Sequence, residues 1–343
     1  MIIDGREIGP HKSPYIIGEI SCNHNGVLDS AMKLIKAAKD AGADAVKFQA
    51  YTADTITLDC KSEEFRIQSG QWAFLWMHDL YRKTQTPFEW FPSLFAYARS
   101  LNITPFASVF DKSSVDMLEA LGCPAYKIAS MEITDIPLIE YAAKTGKPII
   151  ISTGMANYEE ISEASWACCK YKNPPAILHC VSGYPTNAKD ANLKQLGQHS
   201  SLYGISDHSL GSDIPIAATA MGACIIEKHL MLGDEHTEDF EFSLTPVQFS
   251  NMVRSVHNVW QAMQPPTEDV EQASRQLRRS LYVVEDIKAG EPFTERNVRS
   301  IRPAYGMEPK KLPWILTQTA ACDLKRGTAL KQEHVVVHLE TAS

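Results

Sequence analysis

Short apolar runs rich in Ile, Val and aromatic residues recur along the chain, separated by stretches whose apolar positions repeat every three or four residues. The runs are YIIGEIS (15–21), AVKFQA (45–50), ITPFASVF (103–110), AYKIAS (125–130), PIIIST (148–153), AILHCVS (176–182), LYGISDHS (202–209) and CIIEKHL (224–230). Their length and β-branched content predict buried strands. Between the first two, VLDSAMKLIKAAKDAG puts Val27, Ala31, Leu34, Ile35 and Ala38 on one helical face, with Gly42 placed to end the helix. DMLEALG (116–122) and IPLIEYAAKTG (136–146) read as further helices. Eight strands alternating with helices over about 250 residues is the count of a closed (β/α)8 TIM barrel, an α/β fold. A doubly wound open sheet is the alternative.

One connection departs from this rhythm. About fifty residues separate the second and third strands (51–102), and they carry Trp72, Trp76 and Trp90 with Phe74, Tyr81, Phe88, Phe91 and Phe95. Such an insertion can wall a substrate pocket or merely pack extra helices on the barrel. The barrel pattern ends with a helix at 249–263, so residues 1–263 read as one domain. Residues 264–280 then read as a polar linker, and 281–343 as a small, mostly β domain of short strands and turns.

Composition narrows the partners. The 343 residues are 44% hydrophobic and 22% charged, with a formal net charge of -8. That charge disfavours nucleic acid and anionic membrane as partners. The first twenty residues lack a basic segment followed by an apolar one, and no apolar run is long enough to span a bilayer, so a cytoplasmic location is expected. Eight scattered cysteines with no CxxC pair point to reduced thiols, not a disulfide framework or structural zinc site. Cys22 and Cys180 stand near strand ends, where a reactive thiol is conceivable.

In a (β/α)8 barrel the C-terminal strand ends converge on one mouth. There the sequence supplies Glu19, Lys47, Gln49, Ser108, Asp111, Lys127, Ser130, Ser152, Thr153, His179, Ser182, Asp207, His208, Glu227 and His229. A strand-end serine often does no more than cap the next helix. Two lysines inside apolar strands are harder to dismiss, because a buried ammonium is costly unless an anion meets it. Lys47 and Lys127 with the surrounding hydroxyls therefore point to a phosphate or carboxylate ligand. His208 and His229 close the last two strands, which are neighbours in a barrel, so their imidazoles can meet on one cation. A site of two histidines without thiolates suits an exchangeable divalent ion such as Mn2+, with Mg2+ and Co2+ also open, acting as a Lewis acid on a carbonyl.

GEISCNHNG, GADAVKFQ, YKIAS, STGM, GYPT, SDHS and EKH, followed by RRSLYV, IKAGE and RP, resemble in that order the sialic acid synthase family. The resemblance covers nearly the whole chain, and its C-terminal part is similar to an antifreeze-like (SAF) domain. It implies an enzyme that condenses phosphoenolpyruvate with an acylamino sugar and releases phosphate. It also implies a homodimer in which the small domain is swapped. YTADTITLD (51–59), TPFEW (86–90) and CVSGYPT (180–186) look more like the pseudaminic acid branch than the N-acetylneuraminate branch, which usually has Asn at the position of Ser182. The implied sugar is then 2,4-diacetamido-2,4,6-trideoxy-L-altrose, with N-acetylneuraminate or legionaminic acid synthesis as alternatives.

Carried over motif by motif, the resemblance makes Glu19 the catalytic carboxylate and His208 and His229 the metal ligands. Phosphoenolpyruvate falls to Lys47, Lys127, Ser130, Ser152, Ser182, Tyr184 and Ser206, with Ser108 a weaker match. Gln49, Glu132 and Asp239 fall on the sugar side, and Arg302 of the small domain reaches into the neighbouring subunit's site. Two other classes compete: a metal-dependent aldolase, which would release no phosphate, and a non-catalytic carbohydrate-binding protein, which would need no buried strand lysines.

Overall fold

A computed structural model of the chain describes residues 1–233 and 236–338. The eight apolar runs form parallel strands: β1 (Tyr15–Glu19), β2 (Ala45–Ala50), β3 (Thr104–Val109), β4 (Tyr126–Ile128), β5 (Ile149–Ser152), β6 (Ala176–Cys180), β7 (Tyr203–Asp207) and β8 (Ile225–His229). They close into a barrel, with β8 pairing both β7 and β1. In the closing register His229 stands beside Glu19, and Lys228 beside Asp207. The open-sheet alternative is thereby overturned.

The helices sit outside because their apolar stripes match the outward faces of the strands. In the first, Leu28–Asp40, the stripe is Ala31, Leu34, Ile35 and Ala38, all fully buried. Val27, expected on the same stripe, is instead the residue before the helix and is exposed, because the helix begins one position later. Gly42 follows at φ +92°, a left-handed conformation that costs a residue with a Cβ dearly. Gly204 in β7 answers a different need: a Cβ there would lie 2.2 Å from the Ile225 carbonyl oxygen across the strand pair.

The long insertion divides its aromatics. Phe91 and Phe95, on helix Phe91–Ser100, pack on Phe48 of β2 and belong to the core. Trp72 and Tyr81 turn toward the barrel mouth. The last barrel helix, Pro246–Ala262, begins earlier than its apolar pattern indicates, with Thr245 capping it through a reciprocal bond with Gln248.

The chain forms two compact units, 1–264 and 265–343. Within the second, the segment read as a linker contains one helical turn, Gln272–Arg275, and its last residue, Ser280, already starts a strand. Ser280–Val283 pairs with Val298–Ile301, and Thr319–Ala320 with Val335–Val336. These small sheets close over a core of their own containing Leu281, Val283, Ile287, Phe293, Val298, Ile315 and Leu330.

Candidate active site

Side chains of a strand alternate between its faces, so each barrel strand sends every second residue inward. The uppermost inward residues line a cavity of about 630 Å3 at the C-terminal mouth, a size typical of a small-molecule site.

The floor is a network of buried charge. Lys47 Nζ lies 2.5 Å from Glu19 Oε2, 3.6 Å from Glu227 Oε1, and donates to Ser108 Oγ at 3.1 Å. Lys127 Nζ donates to Ser152 Oγ at 2.6 Å and to the Ile128 carbonyl, and stands 3.9 Å from Glu227 Oε1. Ser206 donates to Glu227 at 2.9 Å. Burial opposes the charged form of Lys47, but Glu19 and Glu227 outweigh it and raise the ammonium's pKa. Burial pulls Lys127 below its ordinary value, with Glu227 offsetting only part. The two lysines hold Glu227 ionised despite its burial. The anion the sequence called for is thus partly supplied by the chain itself. Glu227 is the residue that sequence reasoning left without a role, and its signal was the EKH motif beside His229.

Above the floor, Ser130 and Ser182 hydroxyls meet at 3.0 Å. Gly154 makes that approach possible: at φ +51°, a Cβ there would fall 2.3 Å from Ser130 Cβ and 2.7 Å from Ser182 Oγ.

On the far side, the His208 and His229 rings lie 5.3 Å apart, with Phe242 packed on both. His208 Nδ1 bonds the Val181 carbonyl at 3.2 Å, and none of the described residues bonds its Nε2. Burial, reinforced by His229, pushes the His208 pKa down to about 3, so the ring is neutral with a free lone pair. His229 Nδ1 is 3.3 Å from Asp239 Oδ2, yet the angle leaves this buried nitrogen without a hydrogen bond. Two imidazoles facing one cavity, one of them with an unsatisfied nitrogen beside a carboxylate, fit a divalent cation. A second cluster, Asp59, His78 and Asp79, also brings ligand atoms within 4.8 Å of one another. There, however, the Lys61 ammonium already sits 2.7 Å from Asp79 and 3.5 Å from Asp59.

The cavity gathers Lys47, Gln49, Ser108, Lys127, Ser130, Glu132, Ser152, Ser182, Tyr184, Ser206, His208, His229 and Asp239. Glu19 does not reach its surface: it is 1% exposed and lies behind Lys47 and Gln49, the latter donating to it at 3.2 Å. Asp239 lines the cavity beside His229. Burial raises the Glu132 pKa to about 7, against the pull of Lys127. Arg302 is exposed in the C-terminal unit.

Four strand-end residues point elsewhere, among them Thr153, whose hydroxyl accepts from the Cys180 amide at 3.2 Å. His179 faces outward and bonds the Ala191 carbonyl at 2.7 Å, Asp111 caps helix Lys112–Ala120, and Asp207 pairs with Lys228 at 2.6 Å. All eight cysteines are free thiols. Burial pushes Cys180 up to about 11 and Cys22 well above its ordinary value, so neither is an activated nucleophile. The insertion, left open in the sequence between walling the pocket and packing on the barrel, reaches the mouth through part of its aromatics. Trp72 of the insertion stacks toward Tyr184 at 5.3 Å, Tyr184 lies 4.5 Å from His208, and Gln71 ties the insertion to the Glu238 carbonyl at 2.6 Å.

Known proteins are similar to this chain over most of its length. A pseudaminic acid synthase of Campylobacter jejuni is 42% identical over 330 residues, covering 94% of this chain and 96% of that protein. An N,N'-diacetyllegionaminic acid synthase of the same species is 33% identical over 334 residues, covering 94% of this chain and 100% of its own. The crystal structure of N-acetylneuraminic acid synthetase from Leptospira borgpetersenii superposes with a TM-score of 0.71 at 32% identity, covering 80% of this chain and 94% of that one. A SAF domain matches residues 278–336, and with residues 34–268 matching the NeuB family, the chain belongs to that family.

Proposed function

We propose that the protein is a pseudaminic acid synthase, condensing phosphoenolpyruvate with 2,4-diacetamido-2,4,6-trideoxy-L-altrose and water to give pseudaminic acid and phosphate. The observation that carries this reading is one cavity lined both by a lysine and hydroxyl floor and by a pair of imidazoles 5.3 Å apart. The choice of sugar rests on the higher identity to the pseudaminic acid synthase, 42%, than to the legionaminic one, 33%.

Phosphoenolpyruvate carries a carboxylate and a phosphate. Lys47 and Lys127, with the hydroxyls of Ser108, Ser130, Ser152, Ser182 and Ser206, hold those groups so that its C3 lies against the sugar aldehyde, a positioning that lowers the barrier substantially. C3 forms a bond to the aldehyde carbon, and the aldehyde oxygen takes up the electron pair. His208 and His229 are the residues that would hold a divalent cation, with Asp239 orienting His229. Bound there, the cation supplies Lewis-acid stabilisation of that oxygen.

Carbon–carbon bond formation leaves positive character at C2 of the former phosphoenolpyruvate. Water adds there and gives up a proton to a carboxylate, and the tetrahedral hemiketal phosphate collapses by C–O cleavage to release phosphate. Glu19 takes the proton, and the alkoxide on the former aldehyde carbon takes one up in turn, which returns the carboxylate to its starting state. In the free protein it is engaged by Lys47; the substrate phosphate competes for that ammonium and releases the carboxylate. Gln49, Glu132 and Asp239 line the sugar side, while Tyr184, on the phosphoenolpyruvate side, meets Trp72 of the insertion. Arg302 of a domain-swapped partner completes the site in a homodimer.

The test is phosphate release from phosphoenolpyruvate with three acceptors in turn: 2,4-diacetamido-2,4,6-trideoxy-L-altrose, the legionaminic acid precursor and N-acetylmannosamine, each with and without Mn2+. The first should dominate in kcat/KM. Equal turnover of N-acetylmannosamine overturns the sugar assignment, and phosphate release with none of them overturns the synthase reading.

A further inference from the structure

We infer that the buried ion pair Asp207–Lys228, on the outer side of the barrel wall, is a positioning couple that sets the spacing of the His208 and His229 imidazoles; this rests on the reading that those imidazoles hold a divalent cation.

The placement follows from strand alternation. Ser206, His208, Glu227 and His229 all line the cavity, so Asp207 and Lys228, between them in sequence, face the other way. The two are register partners on β7 and β8, one residue before each histidine. Lys228 is fully buried and Asp207 is 4% exposed. Lys228 Nζ meets Asp207 Oδ2 at 2.6 Å and also donates to the Ser209 carbonyl. Asp207 in turn accepts from the Ser209 amide at 3.1 Å and from its hydroxyl at 3.0 Å. The residues on both sides of His208, Asp207 through its carboxylate and Ser209 through its carbonyl, are therefore gripped by one ammonium anchored in the strand that carries His229. On the side away from β8, the His208 carbonyl accepts from the Thr186 amide at 3.0 Å, within a parallel bridge between Thr186 and Ser209.

Stability alone is a poor reason for such a pair, since well-packed apolar side chains of similar size do as well or better in place of a buried ion pair. Register is the better-attested use. Strand ends are where pairing stops and fraying begins: the ladder between β7 and β8 ends at Asp207 and Lys228, and His208 lies just beyond it. A directional bond at the last paired position fixes the direction in which the next side chain leaves.

This separates positioning from stability. The double substitution Lys228→Met with Asp207→Leu removes both charges and keeps the volume apolar. The expected result is a folded protein whose melting temperature in the absence of metal is unchanged or higher. Its Mn2+ affinity, read from the electron paramagnetic resonance signal of free Mn2+, should fall by roughly 10- to 100-fold, the loss usual for partners that orient metal ligands. Phosphoenolpyruvate affinity measured without metal should stay unchanged. A folded double variant with wild-type Mn2+ affinity overturns the inference. Asp207→Asn, which keeps the shape and an oxygen for the Ser209 amide but removes the acceptor that meets the Lys228 ammonium, provides a second reading: a loss of roughly threefold or more supports the couple, and none overturns it. If neither variant folds, the pair is structural and the inference falls. His208→Ala with His229→Ala tests the underlying reading separately, because wild-type Mn2+ affinity in that variant would remove the cation site itself.

Discussion

At the scale of single residues, two buried carboxylates share Lys47 but stand differently toward the cavity. Glu227 lines it and balances Lys127 as well; Glu19 is hidden behind Lys47 and Gln49. Their substitutions should therefore fail in different ways. Glu19→Gln keeps the shape and should bind phosphoenolpyruvate nearly normally while kcat falls by about 10²- to 10⁴-fold, the usual worth of a positioned general base. Glu227→Gln leaves Lys127 without its carboxylate and should act first on the KM for phosphoenolpyruvate. Steady-state phosphate release separates the two, and near-normal kcat in Glu19→Gln removes it from the proton-transfer role. Glu132 brings a pH dependence of defined sign. Burial lifts its pKa from 4.5 to about 7, so below that pH the folded protein holds a proton and the carboxyl can donate to a sugar oxygen. As pH rises through about 7 the donor is lost and the KM for the sugar should climb, a slope that Glu132→Gln flattens. The stability of the ligand-free protein follows the same linkage, falling between pH 4.5 and about 7, because there the folded chain binds more protons than the unfolded one.

At the scale of elements, the eight strands and their inward polar residues were readable because alternation and strand-end position are properties of local sequence. Lys47, Lys127, His208 and His229 all followed from that rule. The connections were less legible. Nothing in the spacing of SGQW says that Trp72 reaches Tyr184, a contact made across the mouth between residues more than a hundred positions apart. His179 was misplaced because a polar residue near a strand end fits either face until its parity is known, and Leu178 and Cys180 take the inner one. The approach of Asp239 to His229 comes only from the fold, since they stand ten positions apart in sequence. The STGM turn after β5 offers an element-level test. Gly154→Ala puts a methyl group where Ser130 and Ser182 converge. The two hydroxyls must separate, and a displacement of ~1 Å in a positioning group can cost about 100-fold in rate. The KM for phosphoenolpyruvate should rise while that for the sugar changes little; unchanged kinetics would show that the serine pair does not hold phosphoenolpyruvate.

At the scale of the whole molecule, each unit has its own hydrophobic core, so neither needs the other in order to bury its apolar surface. A C-terminal unit kept only for stability should then be dispensable for the chemistry, whereas one that delivers Arg302 to a neighbouring subunit should not. Truncation after residue 264 distinguishes these: the barrel should still unfold cooperatively on heating, and phosphate release should be lost. Which subunit supplies the arginine is settled by complementation. Glu19→Gln and Arg302→Ala homodimers are each expected to be inactive. In a mixed dimer with swapped domains, one site combines the intact Glu19 of one chain with the intact Arg302 of the other, while the second site carries both substitutions. Statistical re-association of equal amounts gives half mixed dimers with one working site in two, so about a quarter of wild-type activity should return. Were Arg302 to serve its own barrel, every site in the mixture would lack one of the two groups and no activity would return.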